Sequence, residues 1–138
     1  MGKFGFREAL CALAVCFACG GPLKYQVASS PTAPGADAEI VADVNEDTKQ
    51  TNLTVEVKNL PPAERVEESS QHYVAWYRKD SGAVWTRMAA LAYEPDSREA
   101  RMSGSVPELA FQFEITAEPE ADAASPSSSV VFSQEVGD

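Results

Sequence analysis

Histidine is almost missing from this chain: of 138 residues only His72 is one. A multi-histidine metal centre is thereby excluded, because such sites draw on two or three imidazoles. Cysteine is scarce and confined. Cys11, Cys16 and Cys19 all fall within the first twenty residues, so nothing downstream can form a disulfide or supply a thiol nucleophile. Basic residues number 11 against 21 acidic ones, a net charge of −10. A field of that sign repels nucleic acid and anionic lipid headgroups, both of which rely on Lys and Arg to neutralise phosphate. Long apolar runs are lacking too. The run Ala9–Ala18 stops at Gly20-Gly21-Pro22, at about half the 20 residues that a membrane-crossing helix needs.

That short run has a specific shape. Lys3 and Arg7 precede it as a positive n-region, Ala9–Ala18 form the apolar h-region, and Ala18 is a small residue directly before Cys19. This is the layout of a bacterial lipoprotein signal peptide, with residues 1–18 removed and Cys19 lipidated. The competing acceptor Cys16 is preceded by Val15, a poorer fit to a peptidase that requires a small side chain there. The position three before Cys19 is Cys16 where Leu is usual, and the remaining alternative is plain secretion without a lipid. Acyl chains contribute about 0.8 kcal/mol per buried CH2, so two or three of them anchor a protein with no membrane helix. Loss of Lys3, Arg7 and Glu8 leaves nine basic and twenty acidic residues, a net charge of −11.

Residues 19–37 follow as an expected flexible tether, rich in Ala and Ser and broken by Pro22, Pro31 and Pro34. The rest, 38–138, has the size of one compact domain. Its pattern is all-β. Leu53, Val55 and Val57 alternate with Asn52, Thr54, Glu56 and Lys58, and Phe111, Phe113 and Ile115 with Gln112, Glu114 and Thr116. Tyr73–Lys79 and Val84–Leu91 flank Asp80-Ser81-Gly82 as a hairpin, and weaker strands are expected at Glu39–Val44, Ala100–Val106 and Val130–Ser133. About seven short strands at this spacing predict a single antiparallel β-sandwich of immunoglobulin-like or fibronectin-like type.

Candidate chemistry is thin. Ser69, Ser70 and His72 are close in sequence, but no G-x-S-x-G elbow accompanies them, so a loop histidine is the expectation. Asp43, Asn45 and Asp47 begin like a calcium loop, yet Thr48 and Thr54 stand where an EF-hand needs Gly and Glu, and an acidic hairpin turn is the simpler reading. No cofactor or metal is expected. The aromatics carry more. Trp76, with Val74 on the same face, is expected in the core, which turns Tyr73 and Tyr77 to the opposite face with Trp85 beside them. Such an exposed strip can stack on a sugar ring or grip a protein.

The segments Asn52-Leu53-Thr54-Val55-Glu56-Val57-Lys58-Asn59-Leu60-Pro61, Tyr73-Val74-Ala75-Trp76-Tyr77 and Phe113-Glu114-Ile115-Thr116-Ala117-Glu118-Pro119, followed by Pro126-Ser127 and Val130-Val131, resemble the extracytoplasmic C-terminal domain of anti-sigma-K (RskA-type) factors. The resemblance spans nearly the whole mature domain and implies a β-sandwich outside the cytoplasmic membrane. It does not carry over anti-sigma activity. Those factors hold their sigma factor through a cytoplasmic region and a membrane helix, in whose place this chain has an expected lipid anchor. The expected role is that of a non-enzymatic, membrane-anchored lipoprotein of the cell envelope, facing the periplasm or the cell exterior. It would act as a protein-interaction or sensing module with another envelope protein as partner, and carbohydrate or peptidoglycan binding is the alternative. Protein recovered from membranes should have the mass of residues 19–138 plus acyl groups, and Cys19→Ser should release it; an unlipidated soluble mass would refute the anchor.

Overall fold

The computed structural model describes residues 21–137. The expected signal peptide, residues 1–18, and the expected lipidation site Cys19 therefore lie outside the described residues. Alternation is strictest in β3, Gln50–Lys58, where Thr51, Leu53, Val55 and Val57 are buried and their neighbours exposed. β-branched side chains suit a pleated surface with one dry face, and each fully buried Leu or Val contributes about 1.5–3 kcal/mol. On one side β3 pairs antiparallel with β2, Asp37–Asn45, and on the other with β7, Glu99–Val106. β1, Leu23–Ala28, extends the sheet beyond β2, and β6, Ala92–Glu94, beyond β7. The first sheet thus runs β1-β2-β3-β7-β6.

The second sheet holds β4, His72–Arg78, and β8, Phe111–Glu118, at its centre, with β5, Thr86–Ala90, and β9, Val130–Val136, at its edges. Its order is β5-β4-β8-β9, and every pair is antiparallel. Between the sheets lies one core, with Ile40, Leu53, Val55 and Val57 on one side and Tyr73, Phe113, Ile115 and Phe132 on the other. Apart from β1, the strand order has the ABED and CFG layout of an immunoglobulin-type sandwich, with β5 as an added edge strand. A single helical turn, α1, Ala63–Val66, follows Pro61-Pro62 and leads the chain into the second sheet.

The expected all-β sandwich is present, with nine strands among the described residues where about seven were anticipated. Both extra strands are short. β6 has three residues, too few to show a period, and β1 lies inside the stretch 19–37 expected to be a tether. That expectation is corrected: Leu23, Tyr25 and Val27 pack on the core while Lys24, Gln26 and Ala28 face out. The loop after β1 is also tied down. Ala33 and Ala36 are buried, Ser30 donates its N–H to the Val131 carbonyl at 2.8 Å, and Ser30 and Thr32 hydroxyls both donate to the Val130 carbonyl. Its Pro and Ser content sets the turn instead of disordering the chain. At the far end Gly137, at φ 83°, donates its N–H to the Tyr25 hydroxyl at 3.0 Å, so β1 is clamped to the end of β9. A side chain on Gly137 would strike the backbone at Leu109 and Ala110.

Tyr73 joins the two sheets. Its hydroxyl donates to the Pro61 carbonyl, its ring tilts against Tyr93 at 5.9 Å, and Tyr93 donates to the Leu60 carbonyl at 2.7 Å. Asn59 supplies the left-handed residue, at φ 59°, that turns the chain into Leu60. Burial, reinforced by Tyr93 and Glu64, holds the Tyr73 phenol far above the ordinary tyrosine value of 10.0. The folded state therefore keeps this proton when the unfolded chain has lost it, so the contribution of Tyr73 is complete below pH 10 and declines as pH rises further. Tyr73→Phe should cost about 1–2 kcal/mol at neutral pH through the orphaned Pro61 carbonyl. In urea titrations on either side of pH 10, the deficit of the variant should shrink on the alkaline side.

Candidate functional site

Strand β4 is buried on both faces. Tyr73 and Ala75 point between the sheets, while Val74 and Trp76, each 0 % exposed, lie on the outer face of the second sheet. The expected assignment of faces is thus reversed: Trp76 is buried, but not in the core between the sheets, and Tyr73 does not reach a ligand surface. A central strand covered on both sides loses its period of two, so the alternation could not reveal which face was inside. Tyr77 is half-buried and meets Phe111 edge-on at 6.2 Å, which removes it from an exposed strip as well. Of the three aromatics, Trp85 alone lies on the outer face of this sheet.

The outer face is roofed at one end by the segment 119–129. The Trp76 indole N–H donates to the Thr116 hydroxyl at 2.8 Å, and Thr116 donates in turn to the Glu118 carboxylate. The same Glu118 oxygen accepts the Ser127 N–H at 2.7 Å. Ser127 donates its hydroxyl to the Ala117 carbonyl at 2.9 Å, and Arg87 on β5 reaches the Ala121 carbonyl at 2.8 Å. The segment therefore crosses from β8 to β5 over the intervening β4, which puts Val74 and Trp76 under cover. Thr116 and Glu118, 0 % and 3 % exposed, have satisfied hydrogen bonds throughout.

At the other end the face is open. There a depression of about 370 Å³ is lined by Arg78, Trp85, Gln112, Glu114, Ser133 and Glu135. Gln112 organises it: its carbonyl accepts from Arg78 Nε at 2.7 Å and its amide donates to Glu135 at 3.0 Å. The Arg78 guanidinium lies over the Trp85 ring, 4.3 Å from its centroid, a cation–π arrangement. Glu114, opposite Trp76 in register, is 8 % exposed, and no hydrogen bond from a described residue reaches its carboxylate. Burial raises its pKa, with Arg78 opposing and Glu118 adding to the shift.

The remaining candidates are accounted for by local structure. His72 is exposed at the start of β4. Ser69 donates both its N–H and its hydroxyl to Glu67, holding that carboxyl below the ordinary range and turning Ser69 to a partner other than His72. The Asn45 side chain caps its own turn by accepting the N–H groups of Asp47 and Thr48. Among the described residues no group of three or more His, Cys, Asp or Glu side chains is placed to hold a metal ion. Sequence reasoning missed Arg78, Gln112 and Glu114. Gln112 and Glu114 alternate with Phe111, Phe113 and Ile115 like any wet strand face, and no local signal separates a floor carboxylate from a solvated one.

Two carboxylates four residues apart should respond to mutation with opposite sign. Glu118→Ala should cost about 2–3 kcal/mol, because Thr116 and the Ser127 N–H both lose their acceptor. Glu114→Gln should stabilise the protein at pH 7. The folded state binds the Glu114 proton more tightly than the unfolded chain does, so its favourable contribution is complete below the ordinary glutamate value of 4.5 and is lost as pH rises. Thermal melts from pH 4 to 8 should show that advantage shrinking as pH falls. No family model, curated protein or solved structure matches this chain.

Proposed function

We propose that the protein is a non-enzymatic, lipid-anchored module of the bacterial cell envelope that works by binding another envelope protein. The observation that carries the reading is the open half of the second sheet: a depression with an ordered Arg78–Gln112–Glu135 chain, a tryptophan at its edge and the Glu114 carboxylate opening into it with no hydrogen bond from a described residue. No buried side-chain atom among the described residues lacks a partner, so the Glu114 carboxylate is open to the depression and stands within reach of a group that arrives from outside. The strand floor supports this role, since side chains on paired strands are held more firmly than side chains on loops. The lipobox-like arrangement at Cys19 and the likeness to anti-sigma-K extracytoplasmic domains support the compartment.

Carbohydrate or peptidoglycan binding is the second reading, and Trp85 beside Gln112 and Glu135 favours it. The larger aromatic platform on which it drew is reduced to Trp85, and Arg78 covers one face of that ring. A photo-crosslinking residue at Ser133 should capture one envelope protein in living cells, while the same residue at Thr54, on the exposed face of β3, should not. Glycan recovered at Ser133 in place of protein would favour the second reading, and equal capture at both positions would refute the assignment of this surface.

A further inference from the structure

The depression has a charge imbalance that defines what fits it. Two carboxylates, Glu114 and Glu135, face one guanidinium, and that guanidinium is already engaged by Gln112 and stacked on Trp85. Glu135 receives one amide hydrogen from Gln112, whereas Glu114 receives nothing from the described residues. Partial burial disfavours the charged form of Glu114, and Arg78 offsets this only in part, so a further positive charge at the open side would favour the carboxylate. A sugar hydroxyl would supply a hydrogen bond and leave two carboxylates facing the single charge of Arg78. An anion would add to the repulsion in a chain of net charge −10. A cation with hydrogen-bond donors answers both needs, and the overall negative field steers it in.

We propose that the depression formed by Arg78, Trp85, Gln112, Glu114 and Glu135 receives the guanidinium or ammonium group of a basic side chain on a partner protein, with the Glu114 carboxylate as its counter-ion. The proposal rests on the reading of this face as the binding surface. Glu114 takes the charge-assisted hydrogen bond, and Glu135 and the Ser133 hydroxyl lie within the same depression to accept further donors. Arg78 sets the specificity: its own charge, fixed over Trp85, keeps a second cation away from the far side and directs the incoming one toward Glu114. The site is thus in use when Glu114 is ionised, and occupancy removes the penalty that the empty site carries.

The test is a titration of the purified full chain in non-ionic detergent, followed by NMR of the Trp85 indole N–H and the Gln112 side-chain amide. The probes are L-argininamide, n-butylammonium, the neutral isostere L-citrullinamide, methyl β-glucoside and the blocked tripeptide acetyl-Gly-Arg-Gly-amide. Argininamide, butylammonium and the tripeptide should give saturable shifts with affinities of about 1 mM, and citrullinamide should give none. Glu114→Gln should weaken argininamide binding about tenfold while its thermal midpoint stays at or above that of the parent. Equal shifts from citrullinamide, or undiminished binding by Glu114→Gln, would overturn the cation assignment. Binding of argininamide without the tripeptide would overturn the protein source in favour of a free amine. Shifts from the glucoside alone would overturn the proposal and keep the face as a binding surface. Silence from all five probes together with specific crosslinking at Ser133 would overturn the cation site and leave the broader reading standing, whereas loss of that crosslink as well would remove both.

Discussion

The chain of hydrogen bonds from Trp76 through Thr116 to Glu118 and Ser127 organises the second sheet. Together with the Ser127–Ala117, Ala117–Ser129 and Arg87–Ala121 bonds it lays the segment 119–129 over β4, which keeps an indole and a valine from water. With it, one half of the outer face becomes a second, small interior whose polar groups are all matched. The other half stays open because the segment reaches β5 at Arg87 and extends no further. Glu114 sits at the boundary, beside Trp76 in register and within the open depression, which is how a strand residue becomes largely buried without a partner. The division of the face into a sealed and an open part is therefore one event, set by where the Glu118 carboxylate holds the returning chain.

The segments around Asn59, Tyr73 and Thr116 each hold the sandwich together in a definable way. Asn59-Leu60-Pro61 provides a left-handed turn, a buried leucine and two carbonyls that accept Tyr93 and Tyr73. Tyr73 and Trp76 serve opposite faces of one strand. Thr116 and Glu118 are the middle of the relay that secures the segment after them. Each motif thus marks a place where backbone and side chain satisfy one another. The depression draws on Glu114 from one of these segments and on Arg78, Gln112 and Glu135 from outside them, so frame and binding surface rest largely on different residues.

Legibility followed burial. Where one face was dry and the other wet, as in β3, the period of two was visible and the strand was anticipated within two residues. The β4–β5 hairpin was visible through Asp80-Ser81-Gly82, where the Asp80 side chain accepts the Gly82 N–H at 2.9 Å. In β4, covered on both faces, the strand was legible and its orientation was not, and this sent Tyr73 to the surface and Trp76 to the core. β1 was hidden for a different reason: the alternation of Leu23, Tyr25 and Val27 was swamped by the prolines and serines that follow, which belong to a fixed loop. Of the site, only Trp85 was named in advance, because what makes Glu114 distinctive is a missing partner, and a missing partner leaves no mark in a sequence.

The early start of β1 bears on the mechanics of the proposed attachment. With pairing established from Leu23, a lipid on Cys19 would be separated from the sheet by three residues of sequence, and at about 3.5 Å per residue that is little more than the depth of a headgroup layer. The domain would ride on the bilayer like a cleat and not swing from it like a buoy. Its accessible partners would then be confined to a shell one domain deep, and the direction its open sheet faces would be dictated by the membrane plane.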